Sequence, residues 1–278
     1  MDIRPVAGAL GAEILGVDLA AGLASAQAQQ IHEAFVEHHV LFFRDQELTP
    51  EQQVKFTELF GEPDIYPFIA GMPDAPEVIE IVKTESDAVN FGGSWHSDTS
   101  YMPEPALGTV LYAVEVPNAG GDTLFANTAA AYDALSCGMQ RMVSGLVGVN
   151  SSDNGYGGSR ARAMDKLNAM KGAYNVESAS YESEHPIVRT HPETGRKSLY
   201  IGRGHTARFK NMTAQESEPL ISWLTRHISQ PEFTCRFRWQ PGSIAVWDNR
   251  STQHYALNDY AGKRRHMRRV TIKGDKPF

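Results

Sequence analysis

The sequence has only two cysteines, Cys137 and Cys235, among 278 residues. Two distant thiols make no disulfide framework, so a reducing cytoplasm is the expected setting. Long apolar runs are also missing. Stretches such as VLFF at 40–43 are far too short to cross a bilayer, and no membrane association is expected. The opening MDIRPVAGALGAEI has no basic region ahead of an apolar core, so it does not read as a secretory signal. Positive charge is in deficit, with 26 Lys and Arg against 33 Asp and Glu and a formal charge of −7. That balance argues against nucleic-acid binding through phosphate contacts, and any basic cluster is then local and purposeful. Repeats, low-complexity tracts and long linkers are absent too, and one domain over 1–278 is expected.

What is present reads mainly as short strands bounded by Gly and Pro turns: 107–116, 197–203, 233–239, 243–249 and 264–272. This is the pattern of a jelly roll rather than of a parallel α/β sheet. Helices flank it. Thr49-Pro50-Glu51-Gln52 is a capping box with Pro at the first helical position and Gly61 as a stop, and Thr213 with Glu216 opens a second helix that Pro219 should distort. The Gly-rich, basic stretch at about 151–180, including Tyr156 and Arg160, is an insertion that reads equally as a lid over a site or a surface loop.

Two positions have the form His-x-Asp/Glu. In His191-Pro192-Glu193 the following Thr-Gly is hairpin-turn chemistry, so this pair is expected to flank a turn. In WHSDTSY at 95–101, His96 and Asp98 would share one face of an extended strand and could hold one ion. With ten histidines in the chain such a pair also arises by chance. A third candidate, His254 in WDNRSTQH, follows a strand and a turn, where a jelly roll brings a distant strand back. Two His and one carboxylate suit an open-sided non-haem Fe(II) site, whereas a zinc hydrolase would be expected to bring a motif such as HExxH, which is absent. Trp247 reads as plain core. In KRRHMRR at 263–269, Arg265, Met267 and Arg269 would share a strand face, with the two arginines about 13 Å apart at ~3.3 Å per residue. A solvated edge strand is the usual meaning of such a run; two inward guanidinium groups would instead suit two anions.

WHSD, GGDT at 120–123, WDNRSTQH and RRHMRR, in this order between GAEILGVDLA and GDKPF, resemble the successive motifs of the taurine dioxygenase (TauD/TfdA) family of Fe(II)/2-oxoglutarate-dependent dioxygenases. The resemblance implies a mainly β fold with flanking helices and a double-stranded β-helix, cupin-like core. It implies His96, Asp98 and His254 as iron ligands, and Thr123 with Arg265 on the distal carboxylate of 2-oxoglutarate. Arg269 would meet the anionic group of the substrate or lie beside the cosubstrate. With O2 the reaction would hydroxylate a small anionic organic substrate (a sulfonate, aryloxyalkanoate, alkyl sulfate or related acid) and release succinate and CO2. A homo-oligomer, dimer or tetramer, is also implied.

Taurine-oxidising members carry Asn four residues before the first metal histidine and a His in the preceding loop. Here the first position is Gly92, and no histidine lies between His39 and His96, so taurine itself is not expected. Tyr66, Phe68 and Tyr101 would line a larger, more aromatic pocket, although each suits core packing equally well. The competing readings are a hydroxylase of amino-acid-like or natural-product substrates, a cupin-like module that binds metal and carboxylate without turnover, and a zinc hydrolase acting without O2 or 2-oxoglutarate.

Overall fold

The computed structural model describes residues 1–154 and 180–278. Tyr156 and Arg160, and with them most of the expected insertion, lie outside the described residues. The described strands are β1 Asp2–Pro5, β2 Ala12–Leu15, β3 Val40–Phe43, β4 Pro63–Asp64, β5 Val78–Lys83, β6 Gly108–Glu115, β7 Thr123–Asn127 and β8 Val147–Ser151, then β9 Glu182–Pro186, β10 Val188–Thr190, β11 Lys197–Leu199, β12 Thr206–Phe209, β13 Thr234–Phe237, β14 Ile244–Asp248, β15 Thr252–Ala256 and β16 Arg265–Ile272. The strand expected at 197–203 is only three residues long, Lys197–Leu199, and the chain then passes Gly202 and Gly204 in contact with His96 and the Trp95 carbonyl.

A large sheet runs β1-β2-β3-β14-β6-β16-β4, with β5 on the outer edge of β16, and a small sheet runs β13-β7-β15. The two sheets face each other as a double-stranded β-helix. Val40, Phe42, Leu111, Ala245, Trp247 and Met267 from the large sheet pack against Phe125, Cys235 and Phe237 from the small one. Strict alternation produces this: Val40 and Phe42 point inward while Leu41 and Phe43 point to the other face, which is why VLFF is buried throughout. On that other face Ile31, Phe35 and Phe56, from the helices Ser25–His38 and Pro50–Thr57, close a second core. Burying aromatic and branched side chains of this size removes roughly 1.5–3 kcal/mol of unfavourable hydration each.

Local signals act as the sequence suggested. Thr49 accepts from the Gln52 amide and Gln52 reaches back to Thr49, and the Thr213–Glu216 pair does the same. Pro219 sits inside Ala214–Ile228, which nevertheless runs as one helix because its packed face, with Ile221, Leu224 and Ile228, outweighs one missing hydrogen bond. His191 precedes the β10–β11 turn and Glu193 lies within it, and His191 Nε2 lies 2.9 Å from buried Asp248. No described helix is long and apolar enough to cross a membrane.

Candidate metal centre

His96 and Asp98 do not share a strand. His96 makes an isolated antiparallel bridge with His254 of β15, and Asp98 already lies in the following turn, where Thr99 has φ of 48°. His96 N donates to His254 O and His254 N to His96 O (3.2 and 2.9 Å), a directly opposed pair whose side chains fall on one side, and the ring centroids lie 4.2 Å apart. The turn then folds Asp98 over both rings. Its Oδ1 lies 3.8 Å from each imidazole Nε2, and one ligand atom from each residue falls within 4.8 Å of the others.

The protonation of this cluster suits a divalent cation. His96 Nδ1 sits 2.7 Å from the Ser94 carbonyl, which can only accept, so that nitrogen carries the proton and a neutral ring keeps its lone pair on Nε2. Burial, assisted by His96 and Arg269 and opposed by Asp98, pushes His254 down to about 3, so it is neutral. Burial pushes the Asp98 carboxyl up, but Arg269, His254, His96 and Thr109 outweigh it and hold it far below the usual carboxylate range. Two imidazole Nε2 atoms and one carboxylate are thus presented together, which is the donor set that Fe(II) takes.

Asp98 is fixed by partners that sequence reasoning did not assign to the site. Thr109 Oγ1 (2.9 Å), Asn249 Nδ2 (3.2 Å) and Trp247 Nε1 (3.3 Å) all donate to Oδ2, leaving Oδ1 for the cluster and for Arg269 Nη2 at 3.0 Å. Trp247 is core, as read, yet its indole N–H also orients the carboxylate. Trp247 and Asn249 lie in the same WDNRSTQH stretch as His254, which was the available signal; Thr109 carried none.

Alternation along β16 turns Arg265, Met267 and Arg269 inward. β16 is no edge strand, since β6 pairs one side and β5 and β4 the other, and Arg268 on the opposite face is buried over Tyr112. One cavity is lined by His96, Asp98 and His254 together with Thr123, Arg265 and Arg269. The Thr123 hydroxyl accepts from Trp239 Nε1 (2.9 Å), which leaves its own proton to donate. Gly121 in the GGDT turn has φ of +74°, a backbone conformation that side chains rarely adopt, and it packs against Tyr260 and the Arg265 chain. Arg265 Nε and Nη2 are buried without an acceptor among the described residues, as an arginine awaiting an anion would be.

A second lobe shares Gly92, His96, Asp98 and Arg269 and adds Tyr66, Tyr101 and His205. Tyr66 lies under the Arg269 guanidinium at 5.2 Å. Phe68, expected in the lining, stands behind it, with its ring 5.5 Å from Tyr66 and 5.7 Å from Tyr101. His205, which the sequence did not single out, meets Ser100 Oγ at 2.9 Å and lies edge-on to His96. Gly92 has φ of +80°, and a Cβ there would touch His96 Cε1 at 3.4 Å, so even a small side chain would strain the backbone.

The sequence model of the "Taurine catabolism dioxygenase TauD, TfdA family" matches residues 2–271. An alkylsulfatase of Acinetobacter baylyi is 38% identical, over 99% of this chain and 86% of its own length. An alpha-ketoglutarate-dependent sulfate ester dioxygenase of Pseudomonas putida is 36% identical, over 100% and 91%. Among solved structures, a taurine dioxygenase from Burkholderia xenovorans superimposes with a TM-score of 0.83 at 35% identity, covering 99% of this chain and 92% of that one. Such likeness over almost the whole length shows that the chain belongs to the TauD/TfdA family of 2-oxoglutarate-dependent dioxygenases.

Proposed function

We propose that the protein hydroxylates a small alkyl sulfate ester at the carbon bearing the ester oxygen, consuming 2-oxoglutarate and O2. The observation that carries this reading is one cavity with two buried arginines, Arg265 and Arg269, on one strand face either side of Met267, and with the His96, Asp98 and His254 cluster in the same walls. Two anions suit such a cavity, and one of them is the dicarboxylate cosubstrate. The first two relatives named above act on alkyl sulfates or sulfate esters, which supports a sulfate as the other.

His96, Asp98 and His254 would hold Fe(II), which when bound couples decarboxylation of 2-oxoglutarate to insertion of one oxygen atom into a substrate C–H bond. The chain supplies the rest. Thr109, Asn249 and Trp247 hold Asp98 so that one oxygen faces the cluster. Thr123 and Arg265 anchor the distal carboxylate of the cosubstrate. Arg269, braced by Asp98 and Tyr66, offers its remaining donors to the substrate anion, which directs the adjacent carbon toward the cluster. Tyr66, Tyr101 and the edge of His205 exclude water from that lobe. Hydroxylation of R-CH2-OSO3⁻ gives R-CH(OH)-OSO3⁻, which collapses to an aldehyde and hydrogen sulfate. The Gly92 position speaks against taurine, since Asn in taurine-oxidising members has no counterpart here. A homo-oligomer acting in the cytoplasm is part of the same proposal.

The test is aerobic incubation of purified protein with Fe(II), ascorbate, 2-oxoglutarate and a series of primary alkyl sulfates, with alkyl sulfonates and aryloxyalkanoates alongside. Equimolar succinate, aldehyde and inorganic sulfate from the alkyl sulfates is the expected result. Coupled succinate with another class alone would reassign the substrate.

A further inference from the structure

The register of β5 against β16 places Lys83 directly opposite Arg265, Ile81 opposite Met267 and Ile79 opposite Arg269. Directly opposed residues project to the same face of a sheet, with Cβ atoms about 5 Å apart. Lys83 is therefore carried to the inward side at the level of Arg265. Both are buried, with 4% and 7% of their surface exposed. Neither is paired: Lys83 Nζ and Arg265 Nε and Nη2 have no hydrogen-bond acceptor among the described residues. The ammonium instead rests over the Tyr260 ring at 4.6 Å. Asp122, a carboxylate close enough to influence Arg265, is already bound to Arg236 Nε at 2.6 Å.

Two like charges facing each other across a strand pair repel, and burial makes the repulsion costlier. Such an arrangement is sustained when an anion is shared between the two. Arg265 and Lys83 line one cavity with Asn90, Phe91 and Tyr260, and Arg265, Phe91 and Ile81 also line the cavity of the His-Asp-His cluster, so the two spaces adjoin at Arg265. A carboxylate offers two oxygens and about four acceptor sites, more than a guanidinium and a threonine hydroxyl use.

We propose that Lys83 is a second cation for the distal carboxylate of 2-oxoglutarate, and that with Arg265 it makes the site select dicarboxylic over monocarboxylic 2-oxo acids. This rests on the functional reading above, which assigns that end of the cavity to the cosubstrate. The family motifs point to Thr123 and Arg265 for this task and leave Lys83 without one.

The test is binding, not turnover. Anaerobic calorimetric titrations of Mn(II)-loaded protein with 2-oxoglutarate and with 2-oxobutyrate, which lacks the distal carboxylate, compare wild type with Lys83→Met and Lys83→Arg. Lys83→Met is expected to weaken 2-oxoglutarate about 10- to 100-fold, the span of a lost charge-assisted hydrogen bond, and to leave 2-oxobutyrate within about twofold. Lys83→Arg, which keeps the charge, should retain most of the 2-oxoglutarate affinity. A 2-oxoglutarate affinity within about twofold of wild type in Lys83→Met, or equal weakening of both acids, overturns the proposal. Should that variant not fold, Lys83→Gln, with its uncharged polar tip, gives the same comparison. Wild-type protein that binds no 2-oxoglutarate overturns the functional reading and this inference together, a result that no outcome among the variants can mimic.

Discussion

Asp98→Ala tests the interior electrostatics more sharply than loss of activity alone. The carboxylate is 3% exposed and meets Arg269, itself 4% exposed, at 3.0 Å. Removing one partner of a buried pair leaves the other charged and desolvated, at a cost of about 3–5 kcal/mol. Thr109, Trp247 and Asn249 lose an acceptor as well, which moves the expectation toward the upper end. For a chain of this size that is a fall in Tm of roughly 6–20 °C. Guanidinium unfolding in EDTA measures the metal-free protein and separates this cost from lost ligand binding. The double variant Asp98→Ala/Arg269→Met removes the stranded charge as well and should recover about 2 kcal/mol or more relative to additivity. Neither variant should form succinate with any substrate. A single-variant loss under about 1 kcal/mol, or additive behaviour of the pair, would refute the claim that these two charges neutralise each other in the interior.

Other expectations follow from the same geometry. Trp247→Phe keeps an aromatic, though smaller, ring but loses a donor to Asp98, and should weaken Fe(II) or Mn(II) binding about 10- to 100-fold in equilibrium dialysis while the fold persists. Gly92→Ala forces a side chain onto a backbone with φ of +80° beside His96, and should cost about 1–3 kcal/mol in denaturant unfolding; an unchanged midpoint would dismiss the strain. Burial lowers His39 from 6.5 to about 4, so the unfolded chain takes up its proton first as pH falls. Its contribution to stability is complete above about pH 6.5 and is lost on the way down to about pH 4, with a slope of up to ~1.4 kcal/mol per pH unit. His254 adds to the loss with the same sign in metal-free protein. His39→Asn, which tolerates the φ of 64° at that position, should flatten the pH dependence of unfolding in this range, and an unaltered slope would exclude His39 as its source.

Much of the site was legible because its signals are local. Alternation in RRHMRRVTI put Arg265, Met267 and Arg269 on one face of β16, while the inward turn of that face and the role of Thr123 came from ordered motifs resembling the same family that the whole-chain comparisons show. The capping residues Thr49 and Thr213 were equally plain, since a cap is decided within four residues.

What the sequence determined by itself was the period of each strand, the ends of its helices, and which residue types were available to meet an ion and two anions. Tertiary structure decided which of them meet. Only the His96–His254 bridge, between residues 158 positions apart in number, sets the two imidazoles side by side, and only the turn after it swings Asp98 over them. Thr109 became a partner of Asp98, and Lys83 a neighbour of Arg265, through pairings of β6 and β5 with other strands. Strand register is set by burial summed over a whole sheet, so no short stretch of sequence contains it.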